Sequence, residues 1–272
     1  MKTDEQDFAS GQVGASSRTE AAELLLSCER LVIGFGGKPL LPPIDLQVRR
    51  GDFVAVVGRN GSGKSTWFKT LLGLQSPVSG RILKGRPGMK SAYVPQTAGI
   101  DAILPVRPKE MVLWGRMSGW NFLNPFPSRE DRRVAEAALD TAGARAFAQR
   151  PYRELSEGQK QRTLLARVLA SEADLVLLDE PTAAMDAVAE RETMQRLAGL
   201  AHERRIAVVV VSHDLTMAAE HADTLLFLDR EGPAVVVGDA PTVFCHPAFR
   251  HQYGDEYCAR ASSGSRLGPV PP

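Results

Sequence analysis

Gly58-Arg59-Asn60-Gly61-Ser62-Gly63-Lys64-Ser65-Thr66 is the stretch that decides the fold. It fits the pattern G-x-x-x-x-G-K-[ST], a loop that holds phosphates between a strand and a helix. Both neighbours are present. Phe53-Val54-Ala55-Val56-Val57 is a short apolar run behind Gly51-Asp52, as a buried strand requires. Trp67, Phe68, Leu71 and Leu72 recur at helical spacing until Gly73. Glycines lack Cβ, so successive backbone N–H groups can turn toward phosphate oxygens, and the helix N-terminus adds its own unsatisfied donors. A Gly-rich turn with a chance lysine would have neither flank. The loop is read as a nucleoside triphosphate site, with Gly58, Asn60, Gly61, Ser62, Gly63 and Thr66 around the phosphates. Lys64 reaches the β- and γ-phosphates, and Ser65 is a ligand for Mg²⁺.

The second half of such a site needs carboxylates, and Leu175-Val176-Leu177-Leu178-Asp179-Glu180 supplies two at the end of an apolar strand. Ligands in open α/β sheets collect at that edge. Asp179 is the expected Mg²⁺ ligand, and Glu180 the group that orients or deprotonates the attacking water. Neither this strand nor Ala207–Val211 alternates, as expected of parallel strands covered on both faces. Ile44-Asp45-Leu46-Gln47-Val48 does alternate, so it is expected to be half-buried.

Between these halves the character changes. Val106 to Arg116 reads as a helix and 117–127 as an ordered loop. Ser128 with Asp131 starts a second helix that Gly143 ends. The spacing therefore predicts a mostly helical insertion, about residues 97–165, in an α/β body spanning 21–260. Residues 1–20 and 261–272 are polar and read as loose tails.

The chain has 272 residues and is 43% hydrophobic, enough for a sizeable core. A net charge of +1 gives no polybasic surface, so nucleic acid is not expected as a partner. No apolar stretch reaches the roughly 20 residues that span a bilayer. Cys28, Cys245 and Cys258 are too few and scattered for a disulfide framework, which points to a reducing compartment. The spacing of Cys245, His246, His251 and Cys258 fits no compact zinc pattern, and the segment reads as a terminal helix instead.

Leu155-Ser156-Glu157-Gly158-Gln159-Lys160-Gln161-Arg162 resembles the signature motif of ATP-binding cassette (ABC) ATPases. Other elements follow the family order: Gln96 as the Q-loop glutamine, Ala183-Ala184-Met185-Asp186 as the D-loop, and Ser212-His213-Asp214 as the switch histidine. Phe35 stands where the family places an aromatic ring on adenine. The resemblance implies a P-loop NTPase core with a mixed, largely parallel sheet, an antiparallel β-subdomain and a helical insertion. It also implies that Ser156, Gly158 and Gln159 serve a nucleotide held by a second copy, in a head-to-tail homodimer with two ATP molecules. His213 would contact the γ-phosphate, Asp186 would couple the two sites, and Gln96 would sense Mg²⁺ and water. Glu157 departs from the usual glycine, and Met185 from the usual leucine.

Within the family, the lone cassette favours a transporter over the soluble members that act on DNA, ribosomes or cofactor assembly. Tyr93-Val94-Pro95-Gln96, Leu104-Pro105-Val106 and Val112-Leu113-Trp114-Gly115-Arg116 resemble ATPases of zinc/manganese importers. Those for iron–siderophore, haem and cobalamin uptake look similar here. The resemblance implies integral-membrane permease subunits, an extracytoplasmic substrate-binding protein, and a place on the cytoplasmic face of the inner membrane through the permease.

Overall fold

The computed structural model describes residues 22–95, 106–116, 126–183 and 185–262. Gln96, most of the 117–127 loop, Ala184 and most of the two expected tails lie outside them.

The chain opens with β1 (Leu24–Val32), a small hairpin of β2 (Gly34–Phe35) and β3 (Lys38–Pro39), and β4 (Ile44–Arg49). Strand β4 shows the expected alternation, Ile44, Leu46 and Val48 turning inward and Asp45 and Gln47 outward. Next come β5 (Phe53–Val57), α1 (Lys64–Leu71), β6 (Ser79–Lys84) and β7 (Ser91–Val94). Strands β4, β1 and β6 form an antiparallel sheet in that order.

The helical part comprises α2 (Pro108–Trp114), α3 (Arg129–Thr141) and α4 (Glu157–Ser171). Helix α3 starts as its sequence predicts: Asp131 N–H donates to Ser128 Oγ (3.0 Å) and Ser128 N–H to Asp131 Oδ2 (3.0 Å). Met111, Val112, Ala138, Leu139, Phe147, Tyr152 and Ala166 join these helices in a small core of their own.

The chain then returns through β8 (Leu175–Asp179), α5 (Ala187–Arg204), β9 (Ala207–Val211), α6 (Leu215–His221), β10 (Thr224–Asp229) and β11 (Ala234–Gly238). The six-stranded sheet runs β11-β10-β5-β9-β8-β7, parallel except for β11. All of β5 and β9 is buried, which is why their sequences do not alternate. Helices α5 and α6 share a core with one face of this sheet. On the other face, Trp67 and Phe68 of α1 pack with the antiparallel sheet. Burying each contributes about 2–3 kcal/mol and fixes the helix behind the phosphate loop. Cys28 lies in this core, where burial pushes its thiol up to about 12 and leaves it inert.

The C-terminal segment differs from the expected single helix. It forms α7 (Ala240–Phe244), α8 (Pro247–Tyr253) and α9 (Glu256–Ser262). Pro247 at the first helical position and Gly254 at φ 87° set the breaks. The two turns fold the chain back on itself, so Cys245 and Cys258 meet as a disulfide with Cα atoms 4.6 Å apart. This corrects the expectation of unpaired cysteines: a spacing of 13 says little about distance once the chain reverses. While the bridge stands, neither sulfur is a metal ligand, and His246 Nδ1 is taken by the Ala248 N–H at 3.2 Å.

Candidate active site

Strand β5 delivers the phosphate loop to the C-terminal edge of the parallel sheet. At Gly58 a Cβ would sit 2.3 Å from the Leu228 carbonyl oxygen, so only glycine lets the loop leave β5 alongside β10. Gly63, at φ 108°, caps α1, and Leu40 and Leu41 press to 3.1 Å of where its Cβ would be. That contact places the end of the β2–β3 hairpin against the loop. Phe35 on this hairpin is 61% exposed, a ring presented to solvent beside the site rather than packed into a core.

Lys64 is buried, and its Nζ donates to the carbonyls of Gly58 (2.7 Å) and Arg59 (3.0 Å). Burial lowers its pKa, while Glu180 and Asp179 oppose that shift. Ser62 Oγ is buried without a hydrogen-bond partner. An orphaned hydroxyl beside a buried ammonium suits an anionic oxygen. Ser65 is exposed and Thr66 half-buried at the start of α1, with Asn60 and Gly61 exposed at the loop tip.

The carboxylates arrive from β8. Its register with β9 pairs Asp179 with Val211, so Ser212 and His213 leave the sheet at the same edge. Burial raises the Asp179 pKa, and the Glu180 charge adds to it, against the Tyr93 hydrogen bond and the charges of Lys64 and Lys69. Tyr93 Oη donates to Asp179 Oδ2 at 3.2 Å. Burial first, then Asp179, pushes the phenol up to about 12, so Tyr93 stays a donor. Glu180 takes a left-handed backbone, φ 46°, unusual for a side chain of this size. His213 Nε2 lies 2.6 Å from Glu180 Oε1, within hydrogen-bond distance.

Other predicted residues stand apart. Ser156 begins α4 and its N–H donates to Gln159 Oε1 at 3.1 Å, so Gln159 serves as a helix cap. Ser156 and Gly158 are exposed, and open space surrounds Gly158. No hydrogen bond or ion pair among the described residues joins them to residues 58–66. Glu157 does not face outward as a bare charge: Lys160 Nζ donates to its Oε1 at 2.9 Å. Asp186 caps α5 through Val188 N–H (3.0 Å) and Ala189 N–H (2.9 Å). Met185 Sδ lies 3.3 Å from Thr193 Oγ1, whose hydroxyl donates to the Ala189 carbonyl at 2.6 Å. Gln96 lies outside the described residues.

The structure adds groups that sequence reading missed. A cleft of 360 Å³ beside the loop is lined by Gly58, Arg59, Asn60, Ser212, His213, Leu215, Glu231 and Tyr253. Tyr253 comes from α8, far along the chain, and nothing in its local pattern marks it. Tyr93 could have been found only by knowing that β7 pairs with β8.

A family model described as "ABC transporter" matches residues 41–183. The chain is 37% identical over 231 residues to the manganese transport system ATP-binding protein of Bacillus subtilis (strain 168), covering 83% of this chain and 91% of that protein. It is 35% identical over 230 residues to a zinc import ATP-binding protein of Chromohalobacter salexigens, covering 85% and 90%. Among solved structures, a metal-chelate type ABC transporter chain in an inward-facing conformation superposes with a TM-score of 0.71 at 29% identity, covering 84% and 88%.

Proposed function

The chain belongs to the ABC transporter family of ATPases, and on that premise we propose that it powers import of a divalent metal ion of the zinc or manganese type. It binds and hydrolyses ATP and works with a membrane permease; among its described residues no helix is long and apolar enough to cross a membrane itself. The manganese and zinc systems to which it is similar support the choice of cargo. A second reading, a chelated metal, is favoured by the metal-chelate type structure. In either case we place the chain on the cytoplasmic side of the membrane, held there by the permease, with a separate binding protein delivering the cargo.

The observation that carries the mechanism is the Glu180–His213 contact beside the phosphate loop. In this reading ATP phosphates replace the Gly58 and Arg59 carbonyls as acceptors for Lys64, and Ser62 Oγ gains the acceptor it lacks. Ser65 and Asp179 would hold Mg²⁺, which would supply positive charge against the charge developing on the phosphates. Tyr93 fixes the Asp179 carboxylate. Glu180 then takes a proton from the attacking water, with His213 holding its carboxylate in place and facing the γ-phosphate side. Gln96 would sense Mg²⁺ and the attacking water, and Phe35 would stack on the adenine.

Ser156 and Gly158 are too isolated to serve this chain's own loop, which supports a head-to-tail dimer in which each α4 completes its partner's site. Glu180→Gln should lower turnover by about 10²–10⁴-fold while leaving ATP binding intact and trapping a dimer on gel filtration. Turnover at the parent rate would remove Glu180 from this role. Uptake of radiolabelled zinc, manganese and iron chelate by proteoliposomes holding the assembled transporter decides the cargo.

A further inference from the structure

Thr182 follows Glu180 and Pro181 in the chain and is only 5% exposed. Its hydroxyl donates to Glu190 Oε1 of α5 at 2.9 Å. The turn around it is closed by its own backbone: Ala183 N–H donates to the Glu180 carbonyl (3.3 Å) and Met185 N–H to the Thr182 carbonyl (2.9 Å). Both ends of this turn lie against α5, Thr182 on Glu190 and Met185 with its Sδ 3.3 Å from Thr193 Oγ1. Glu190 and Thr193 are three positions apart and so share one face of the helix. The chain leaving Glu180 is thus laid along α5 and tied there at Thr182.

Glu190 sits in the first turn of α5, where a carboxylate ordinarily faces water and favours the helix dipole. This one is half-buried and turned back on Thr182. Burial raises its pKa, the Thr182 hydrogen bond opposes the shift, and Asp214 and His213 act on it with opposite signs. Its charge is therefore felt at the His213 side of the site. Glu180 has need of support from this direction. A left-handed backbone at φ 46° is unfavourable for a residue with a side chain and persists only where the surroundings hold it.

We propose that Glu190 is a positioning residue for hydrolysis: by accepting from Thr182 it holds the turn after β8, and with it the Glu180 carboxylate, in place beside His213. The inference rests on the reading of Glu180 as the group that takes a proton from the attacking water, and adds what keeps that group aimed. Glu190 acts through Thr182. An ionised acceptor makes the stronger hydrogen bond, which accounts for a carboxylate at a place where burial penalises its charge. Misplacing a reacting group by an ångström costs up to about 10²-fold in rate. Releasing one tether of a turn that keeps its backbone bonds costs less, about tenfold.

The test uses the ATPase assembled with its permease, with kcat for phosphate release and KM for ATP measured for each variant. Glu190→Ala and Thr182→Val should each lower kcat about tenfold and leave KM for ATP within about twofold of the parent. The double variant should be no slower than either single one, because the same hydrogen bond is lost in all three. Glu190→Gln, which keeps an acceptor, should stay within about threefold of the parent kcat. Its Tm at pH 8 should equal or exceed the parent's, since a charge that burial penalises has gone. Parent kcat in Glu190→Ala, or losses that multiply in the double variant, would overturn the proposal. So would a Glu190→Gln variant as slow as Glu190→Ala. Thr182→Val preserves the side-chain shape and decides the matter if Glu190→Ala does not fold. Glu180→Gln, run alongside, separates the two readings. If it is slow and the tether variants are not, only the present inference fails; if it keeps the parent rate, the role of Glu180 fails and the tether has nothing to aim.

Discussion

Asp179 and Glu180 follow one another in sequence, yet the structure treats them differently. Asp179 is still part of β8 and half-buried under Tyr93, whereas Glu180 turns out of the sheet at φ 46°. A left-handed residue of this kind costs about 1–3 kcal/mol, which here aims the carboxylate at His213. For Asp179 the sign of the pH effect follows from its raised pKa. Ionising it in the folded protein is harder than in the unfolded chain, so above the folded pKa it subtracts from stability, and the penalty fades as pH falls toward the ordinary value of 3.8. Asp179→Asn should therefore raise Tm at pH 8, with a gain that shrinks as the pH falls toward 3.8, while abolishing hydrolysis; thermal melts across that range check it. Both carboxylates were legible in the sequence because a strand end fixes them locally. Tyr93 was not, since its role depends on which strand lies beside β8.

The elements that sequence reading recovered share one property: their signal is local. The unbroken apolar runs of β5, β8 and β9, the alternation of β4, and the Ser128–Asp131 start of α3 each arise from neighbours within a few residues. The C-terminal helices did not yield so easily. Their breaks were written in Pro247 and Gly254, but the disulfide depended on how α7, α8 and α9 turn back. Helix α4 shows what the signature region does with its unusual residue. Lys160 Nζ, 2.9 Å from Glu157 Oε1, offsets the charge of Glu157, and in the proposed dimer it would shield the partner's phosphates from it. Lys160→Met should thus lower dimer ATPase by about fivefold, the scale of one ion pair of this kind. Glu157→Gly added to it should restore the rate. Steady-state phosphate release by the two variants, with melts to confirm folding, distinguishes this from simple loss of the helix start.

For the whole molecule, the decisive fact is separation. The phosphate loop, Asp179, Glu180 and His213 meet at one sheet edge, while Ser156 and Gly158 stand exposed at the start of α4. A site divided this way makes a prediction about mixtures. Lys64→Ala and Ser156→Arg should each be nearly inactive alone. When the two are mixed and reassembled with the permease, heterodimers hold one site with neither substitution, and activity should return. Mixing that restores nothing would show that each chain completes its own site. One last consequence concerns Lys64, whose ammonium is gripped by the carbonyls of its own loop at 2.7 and 3.0 Å. The loop carries its own competitor. Any ligand must displace both contacts before it gains the lysine, so a small anion that can offer only one or two acceptors has little to win. A polyphosphate engages the lysine, Ser62 and the loop N–H groups together and clears that threshold. On the proposed reading of Lys64 as the ATP-recognising residue, it is thus also a latch that opens only to a ligand with enough oxygens to turn it.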